Sequence, residues 1–273
     1  MENLKQLQTS VWQYYDKHGR RDLPWRVDTS PYAIFLSEVM LQQTQVGRVR
    51  IKYAEFVAAL PSFEALASAA QRDVLRLWQG LGYNRRALWL KAAAKMVVED
   101  YGGNLPTKPT ELRKLPGIGP NTAGSIAAFA FNAPVVFIET NIRRVFIHHC
   151  FADREGVGDG ELLPLIEAAL GLNHDRPREW YWALMDYGSY LASELPNPNR
   201  RSRHYVKQSA FVGSDRQIRG EVLRLLLTKA MTPPQLARAL ATHTQDAERL
   251  ARIMHSLKQE GFVIIQKDHY KLA

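Results

Sequence analysis

Apolar side chains recur at three- and four-residue spacing along most of the chain, which is the period of a helix with one buried face. The first such segment, residues 3–17, carries Leu7, Val11 and Tyr15 on one face and ends before Gly19. Strand-like alternation is almost absent before residue 262. Short helices with short connections predict an all-α fold.

The same spacing predicts a series of further helices that Pro, Gly, Ser or Asp residues separate. Their expected ranges are 31–44, 46–59, 62–69, 72–79, 84–99, 109–114, 121–129, 140–150, 160–170 and 180–191. Ser30-Pro31 is typical of a helix start, because serine caps helix N-termini and proline fits the first turn. Residues 23–26, Leu-Pro-Trp-Arg, are predicted to be extended instead.

The C-terminal part of the chain follows a different pattern. It predicts three helices and a two-stranded hairpin, at 215–229, 233–241, 245–260, 262–265 and 269–272. This order of elements is that of a winged-helix module. In such a module the third helix, with Arg249, Arg252 and Lys258 outward, and the hairpin face DNA. The same topology also serves protein contacts, so both partners stay open.

Positive charge is concentrated in the same part of the chain. The net charge is +9, and residues 197–273 hold 14 of the 36 Lys and Arg but 6 of the 27 Asp and Glu, a net of +8. Such an excess is typical of a polyanion-binding segment, because neutralised phosphates release counterions. The alternative is a solvated surface that favours solubility.

Composition also excludes several classes of protein. No apolar run approaches the ~20 residues of a membrane-spanning helix, and residues 1–8 lack the apolar segment of a secretion signal. The single cysteine, Cys150, excludes an internal disulfide and an all-cysteine metal site. We therefore expect a protein of the reducing cell interior, either cytoplasmic or otherwise intracellular.

The strongest break in the helical pattern is Leu115-Pro116-Gly117-Ile118-Gly119-Pro120, which lies between two predicted helices. The glycines allow positive φ and close backbone approach. The unpaired N–H groups that open the second helix suit a phosphate. The pattern predicts an anion-binding hairpin, and the alternative is a hairpin that only packs.

Several longer motifs occur in a fixed order. They are Leu23-Pro24-Trp25-Arg26, Leu36-Ser37-Glu38-Val39-Met40-Leu41-Gln42-Gln43-Thr44-Gln45-Val46, Leu77-Trp78-Gln79-Gly80-Leu81-Gly82-Tyr83, the hairpin at 115–120 and Met185-Asp186-Tyr187-Gly188. Over about residues 5–190 they resemble the MutY-type adenine DNA glycosylases of the helix-hairpin-helix (HhH-GPD) superfamily.

The resemblance implies an all-α, two-lobed helix-hairpin-helix glycosylase fold followed by the winged-helix module. The glycosylase region would span residues 1–210, with the module at 211–273. Within the glycosylase region, the central lobe would cover about 27–133, and the second lobe would combine 1–26 with 134–210. A nucleotide flipped out of duplex DNA would enter the cleft between the lobes, while the hairpin grips the strand.

Removing a purine needs a proton on the leaving base and negative charge against the oxocarbenium ion that develops on the sugar. By the resemblance, Glu38 is the general acid, and its apolar neighbours should raise its pKa. Glu139 stands where the family has aspartate, so it would either stabilise the oxocarbenium ion or act as the nucleophile, with Asn141 as its orienting partner. The extra methylene of Glu139 is expected to displace the carboxylate by more than about 1 Å, so activity is altered unless the pocket is reshaped.

The resemblance also implies residues that touch DNA. Asn121 stands where bifunctional relatives, which resemble endonuclease III, carry a lysine that forms a Schiff base, so the enzyme should be monofunctional and lack lyase activity. The residues expected at the target base or wedge are Trp25, Arg26, Gln43, Tyr83, Asn84 and Asn121. Those expected at the DNA backbone are Gly117, Ile118, Gly119, Arg143, Arg144, Arg200, Arg201 and Arg203, with a purely structural role also open for Arg143 and Arg144.

The chain departs from the family at three places. The four cysteines with which the family holds an iron-sulfur cluster are absent. No cofactor is therefore expected, except a monovalent cation on the hairpin carbonyls. The basic loop 197–207 would replace the cluster, and the alternative for this loop is a solvated tether. The domain that reads 8-oxoguanine is missing. The resemblance leads us to expect two aromatic residues after Gly82, but the chain has Tyr83 and Asn84. One ring that would intercalate into DNA is therefore missing, and the identity of the opposite base is left open.

The expected function is therefore that of a monomeric, monofunctional glycosylase acting on double-stranded DNA, with adenine as the favoured base. A glycosylase for thymine or uracil opposite guanine, or for another damaged base, is the alternative within that class. The alternative of another class is a non-catalytic DNA-binding damage sensor, which the change to Glu139 and the added winged-helix module favour.

Overall fold

The computed structural model describes residues 2–207 and 210–273, and these residues are mainly helical. The α-helices, α1 to α15 in chain order, are Glu2–His18, Pro24–Val27, Pro31–Leu41, Val46–Ala59, Phe63–Ser68, Gln71–Leu77, Arg85–Tyr101, Pro109–Leu112, Pro120–Phe131, Thr140–Cys150, Asp159–Gly171, Pro177–Glu194, Asp215–Thr228, Pro233–Ala239 and Ala247–Gln259. A 3-10 helix is Pro198–Arg201, and the strands β1 and β2 are Val263–Gln266 and His269–Leu272. The predicted all-α class is confirmed. Within the described residues, no helix has the length and apolarity needed to cross a membrane.

Two predicted boundaries are wrong. Residues 24–27 are not extended but form the short helix α2, which begins with Pro24 in its first turn. Proline suits this position because its fixed φ and missing N–H cost nothing there. Helix α3 ends at Leu41, three residues earlier than predicted, and the backbone reaches a positive φ of 54° at Gln43.

The chain forms two compact units. The first contains Met1–Val39 and Leu105–Lys207, and the second contains Met40–Asn104 and Gln208–Ala273. Helix α3 begins in the first unit and ends in the second. The predicted domain boundaries remain predictions, both for the division into 1–210 and 211–273 and for the two lobes within residues 1–210. Residues 208 and 209, next to one of these boundaries, lie outside the described residues.

The first unit is built around α10 and α12, which pack on each other and on α1, while α9 packs on α8 and α12. Its core includes the fully buried rings of Trp180, Tyr181 and Phe146. The ring of Phe137, in the segment before α10, packs against that of Tyr181 at a tilt, with ring centroids 4.2 Å apart. Aromatic contacts of this kind hold the beginning of α10 against α12.

The second unit has a helical part and the C-terminal module. In the helical part, α7 packs on α5 and α6, and Phe56 meets Trp78 edge to face. In the module, α13 packs on α15 and β2. The hairpin turns at Lys267 and Asp268, which have φ of 47° and 59°, as a two-residue turn between twisted strands requires. The predicted order of three helices and a hairpin is present, and the winged-helix assignment stays a prediction.

Candidate active site

Glu38 lies on α3 among fully or nearly fully buried apolar residues. Leu36, Val39 and Met40 are each at most 3% exposed, whereas Glu38 itself is partly exposed. The hydroxyl of Ser125, on α9, lies 2.5 Å from Oε2 of Glu38. An acidic group therefore reaches the surface of the first unit from an otherwise apolar stretch of helix.

The carboxyl group of Glu38 is set to exchange a proton near neutral pH. Burial and, to a smaller extent, the negative charge of Glu139 raise its pKa, the hydrogen bond from Ser125 and the charge of Arg26 lower it, and the net result is a pKa of about 7. Glu139 is thus near enough to act electrostatically on Glu38. A pKa near the working pH is what a general acid needs.

Ser125 has two neighbouring acceptors but a single hydroxyl hydrogen. Its oxygen lies 2.5 Å from Oε2 of Glu38 and 3.0 Å from the carbonyl oxygen of Thr122. When Glu38 is ionised, the hydroxyl donates to the carboxylate. When Glu38 is protonated, the carboxylic acid donates to Ser125 and the hydroxyl donates to Thr122. Both protonation states of Glu38 are therefore hydrogen-bonded.

Substituting Ser125→Ala is expected to raise the pKa of Glu38, because a hydrogen bond that favours the carboxylate is lost. Glu38 would stay protonated to higher pH, so the alkaline limb of the pH profile for base release should move upward. The measurement is the single-turnover rate as a function of pH. Ser37→Ala is the matched control, because Ser37 is buried on α3 but donates to the carbonyl of Ile34. An unchanged or lowered midpoint in Ser125→Ala would contradict the prediction.

Glu139 caps helix α10 with its own side chain. Its Oε1 accepts the backbone N–H groups of Asn141 at 2.6 Å and Ile142 at 2.9 Å, and Oε2 accepts the Asn141 amide at 3.3 Å. Burial raises the pKa of Glu139, and these hydrogen bonds and the charge of Arg144 oppose the increase. The longer side chain therefore folds back into the position that a capping aspartate normally takes. The helix N-terminus also favours its negative charge.

Two glycines allow the segment with Glu139 to press against its neighbours. A Cβ at Gly124 would lie 2.5 Å from Cβ of Phe137, and a Cβ at Gly188 would lie 2.5 Å from the carbonyl oxygen of Asn141. Any side chain at either position would push the segment outward. Gly124 precedes Ser125 directly, so close packing here brings the Glu139 segment near the Ser125 and Glu38 pair.

Asn141 is held by Arg144. The guanidinium of Arg144 donates at 2.6 Å to the side-chain oxygen of Asn141 and at 2.6 Å to the carbonyl of Gly188, and its Nε donates to Asn197. Arg144 is only 7% exposed, which agrees with a structural role, and its predicted DNA contact stays a prediction. The amide of Asn199 also donates to the carbonyl of Thr140 at 2.9 Å. The segment around the 3-10 helix is therefore packed against α10 rather than a free tether.

Arg26 is the centre of a buried ion pair. Its two terminal nitrogens donate to the two carboxylate oxygens of Asp186 at 2.7 and 2.8 Å, and Arg20 also binds Asp186. Arg26 and Trp25 are 9% and 4% exposed. This placement does not support their predicted contacts with a base, which stay predictions. Arg26 acts on Glu38 through its charge.

The other residues predicted to contact the DNA backbone differ in how exposed they are. Gly119 and Asn121, at the start of α9, are exposed, while the side chain of Ile118 is buried and leaves only its backbone for a phosphate. Arg143 makes a two-point ion pair with Asp159 at 2.8 and 2.7 Å. Gly117 lies in the hairpin turn with a φ of 77°. Arg200 and Arg203 are exposed. Arg201 donates a hydrogen bond to the carbonyl of Ala152.

Gln43, Tyr83 and Asn84 belong to the second unit, where they occupy two neighbouring loops. Gln43 and Tyr83 have φ of 54° and 46° and are exposed. The buried guanidinium of Arg86 donates to backbone carbonyls of both loops at 2.5–3.1 Å. Non-glycine residues keep such conformations only where their surroundings impose them, and Arg86 is what imposes them here.

Three residues of these networks were missed from the sequence as functional residues. Ser125 looked like one of several small residues in α9, and neither Asp186 nor Arg86 was assigned a role. The Met-Asp-Tyr-Gly motif was the available signal for Asp186, because a lone aspartate in an apolar helix needs a buried partner.

The chain does not fit an iron-sulfur cluster. Such a cluster needs four cysteine thiolates, and the only cysteine, Cys150, ends α10. In the segment after α12, Asn197 and Asn199 bind Arg144 and Thr140. No group of three or more His, Cys, Asp or Glu among the residues with described positions is arranged to hold a metal ion.

The first unit thus presents a protonatable carboxyl and a second carboxylate that interact electrostatically. One is a candidate proton donor with a pKa near 7, and the other is anchored by three hydrogen bonds at a helix end. Two such groups can protonate a leaving group and oppose the positive charge that forms as it departs.

Known proteins are similar to this chain in sequence and in fold. The model of the HhH-GPD superfamily of base excision DNA repair proteins matches residues 36–161. The adenine DNA glycosylase of Mycolicibacterium smegmatis is 32% identical over 266 residues, 92% of this chain and 90% of that protein. The human adenine DNA glycosylase is 42% identical over 227 residues, 75% of this chain and 41% of that protein.

Among solved structures, that of a thermostable thymine-DNA glycosylase matches with a TM-score of 0.62 at 25% identity, covering 72% of this chain and 91% of that one. A non-covalent endonuclease III–DNA complex matches with a TM-score of 0.53 at 19% identity, covering 77% of this chain and 91% of that one. The second likeness shows the fold alone.

Proposed function

The chain belongs to the HhH-GPD superfamily of base excision DNA repair proteins, and we propose that it is a DNA glycosylase that hydrolyses the bond between adenine and deoxyribose in mispaired duplex DNA. The observation that carries the proposal is the pair formed by Glu38, with a pKa of about 7, and Glu139, anchored at the start of α10. Adenine is favoured because the relatives that match most of this chain are named adenine DNA glycosylases.

In this mechanism Glu38 donates its proton to the flipped base, so that the base leaves as a neutral molecule. The positive charge that grows on the sugar faces the carboxylate of Glu139, which Asn141 and the backbone of α10 hold in place. Ser125 keeps Glu38 hydrogen-bonded before and after the transfer. Water then forms a bond to C1′ of the sugar and loses a proton to the ionised Glu38, which restores the acid, so no amine is needed.

The enzyme is proposed to be monofunctional and to act as a monomer without an iron-sulfur cluster. Position 121 holds asparagine, whose amide cannot form a Schiff base with the sugar. The contacts of Asn197 and Asn199 with α10 support the proposal that this segment replaces a cluster as a structural brace. A monovalent cation at the hairpin carbonyls stays part of the proposal.

A panel of labelled duplexes tests base, opposite base and reaction type together. We expect strand breaks at adenine, with the opposite base left for the panel to identify, and only after hot alkali, because a monofunctional enzyme leaves an intact abasic strand. Breaks without alkali, or a borohydride-trapped covalent adduct on abasic DNA, would contradict the absence of lyase activity. An endonuclease III-type enzyme treated in parallel is the positive control for trapping.

Thymine opposite guanine is the second candidate substrate, because the fold of a thermostable thymine-DNA glycosylase matches with a TM-score of 0.62. Strand breaks at thymine or uracil, with adenine duplexes intact, would select it. Binding to these duplexes without any break across the panel would favour a damage sensor instead.

A further inference from the structure

Polar contacts hold the C-terminal module to α6 and α7 within the second unit. Glu260, just after α15, pairs with Arg85, the first residue of α7, at 2.9 Å and with Arg219 of α13 at 2.6 Å. Gln71 and Arg72, on α6, donate to backbone carbonyls of the module at 2.9 and 2.6 Å. The module is therefore anchored beside the loop that precedes α7.

The third helix of the module is not arranged as its sequence predicts. Arg249, expected outward, donates from Nε to Asp215 at 2.7 Å and from Nη2 to the carbonyl of Gly213 at 2.7 Å. It thereby joins α15 to the start of α13. Of the three cationic residues expected to face DNA, Arg252 and Lys258 remain exposed.

The first helix of the module reaches the loop before α7. Arg216, on α13, donates a hydrogen bond to the hydroxyl of Tyr83 at 2.8 Å, and its guanidinium carbon lies 5.7 Å from the centre of that ring. The same guanidinium donates to the carbonyl of Ala210 at 3.4 Å. Arg216 is partly buried. The module thus supplies a cation that is directed at an aromatic side chain rather than held out toward solvent.

Tyr83 is held by a second arginine as well. Arg86, on α7, lies 5.6 Å from the centre of the Tyr83 ring and donates to the carbonyls of Gln42 and Leu81. Tyr83 itself has a φ of 46°, a conformation that a non-glycine residue keeps only where its surroundings impose it. The residue is nonetheless 37% exposed. Its ring is therefore fixed without being covered.

We propose that Arg216 is a positioning residue, which fixes the ring of Tyr83 in the orientation that meets mispaired DNA. A side chain that is free to rotate loses that freedom on binding, and a contact that orders it beforehand removes part of this cost. Because Tyr83 stays exposed while Arg216 holds it, the contact prepares the ring for a ligand and does not block it.

The sequence left open whether the module binds DNA or a protein, and in this proposal its first helix acts within the chain instead. The proposal rests on the proposed function, which supplies the mispaired duplex, and on the expected place of Tyr83 at the DNA. The new element is the dependence of Tyr83 on an arginine from the C-terminal module.

The test is a double-mutant cycle in the full chain, with Arg216→Ala, Tyr83→Ala and both changes together. The measurement is affinity for a labelled duplex that carries a stable tetrahydrofuran abasic analogue, and for a fully paired duplex of the same length. Arg216→Ala should weaken binding to the abasic-analogue duplex by about 2- to 10-fold, as expected when one side chain must be ordered on binding. In the Tyr83→Ala background it should have no further effect.

The salt dependence separates positioning from a direct DNA contact. Arg216→Ala should leave the slope of log K against log salt unchanged, because a positioning residue neutralises no phosphate. A slope lowered by about 0.9, the contribution of one phosphate contact, would overturn the proposal. The matched control is Arg224→Ala, an exposed arginine of the same helix that pairs with Glu221 at two points, at 2.8 and 2.6 Å. Its affinity should equal that of the unmodified protein.

Tyr83→Phe keeps the ring and removes only the hydroxyl, so it serves as a second variant should Tyr83→Ala fold poorly. Arg216→Ala should cost less affinity in the Tyr83→Phe background than in the unmodified protein. An equal loss in both backgrounds would mean that Arg216 only stabilises the module, and tighter binding by Arg216→Ala would mean that the contact is inhibitory. Either result would overturn the proposal.

Failure of the proposed function has a different outcome. Unmodified protein would then release no base from any duplex, while the coupling between Arg216 and Tyr83 would still be measured in the affinities. If base release is present and the two substitutions act independently, the positioning proposal alone is wrong.

Discussion

Glu38→Gln is expected to stop base release while leaving DNA affinity nearly intact. Glutamine keeps the shape of the side chain and the hydrogen bond with Ser125 but has no acidic proton, so adenine would have to leave as an anion. Loss of a general acid costs about 10²–10⁴-fold in rate. The measurement is the single-turnover rate at pH 7 with enzyme in excess, compared with affinity for the same duplex.

Glu167→Gln is the matched control for this substitution. Glu167 is exposed on α11 of the same unit, so the same chemical change is made there away from Glu38. Its rate should equal that of the unmodified enzyme. If Glu38→Gln also turned over normally, Glu38 would not be the proton donor.

Glu38→Gln is expected to lower activity without lowering the stability of the fold, so a stability measurement separates lost catalysis from lost folding. The pKa of Glu38 is about 7 in the folded protein and about 4.5 in the unfolded chain. Between these values the folded state holds the proton and the unfolded state does not, so this carboxyl makes stability fall as pH rises from about 4.5 to 7. Above pH 7 the full cost of the buried charge applies, on the order of 3 kcal/mol.

Glutamine carries no charge and avoids this cost. Thermal unfolding at pH 8 should therefore show Glu38→Gln to be at least as stable as the unmodified protein, although it is inactive. A residue that costs stability in its ionised form is typical of a catalytic position.

Most helices were predictable from the sequence because their cause is local. Helix α1 was expected at residues 3–17 and lies at Glu2–His18, since apolar spacing and the following Gly19 specify both ends. The glycines of the hairpin and the apolar neighbours of Glu38 are likewise visible in short windows of sequence. The site residues Glu38 and Glu139 were found through motif resemblance, and their electrostatic interaction agrees with that placement.

The supporting contacts were not predictable, because their partners are distant in sequence. Ser125 and Glu38 are 87 positions apart, and Arg26 and Asp186 are 160 apart. No periodicity indicates which buried arginine meets which buried aspartate. The sequence therefore placed Arg26 at the base without showing that its guanidinium pairs with Asp186 in the interior.

Glu139 poses the sharpest question about the reaction, because the family has aspartate at its position. The extra methylene was expected to carry the carboxylate outward by more than about 1 Å, enough to cost about 100-fold. In the structure the side chain instead turns back, and its Oε1 caps the N–H groups of Asn141 and Ile142. Aspartate makes the same contacts at helix N-caps, so either side chain can hold a carboxylate here.

Glu139→Gln and Glu139→Asp are therefore expected to differ widely in activity. Glutamine removes the negative charge that opposes the cationic sugar and should lower the single-turnover rate by at least about 10²-fold, the typical loss of one electrostatic contact in the transition state. Aspartate keeps the charge and the cap, so its loss should stay below the roughly 100-fold of an uncompensated 1 Å displacement.

Loss of a helix cap alone does not explain such a difference. Ser62→Ala removes the cap of α5, where the Ser62 hydroxyl accepts the N–H of Ala65, and should cost about 1 kcal/mol of stability with no loss of base release at a temperature where the variant stays folded. Equal inactivity of Glu139→Gln and Glu139→Asp, with melting temperatures like that of Ser62→Ala, would mean that the reach of the native glutamate is essential. In that case the pocket is built around the longer side chain, and the family's aspartate geometry does not apply to this chain.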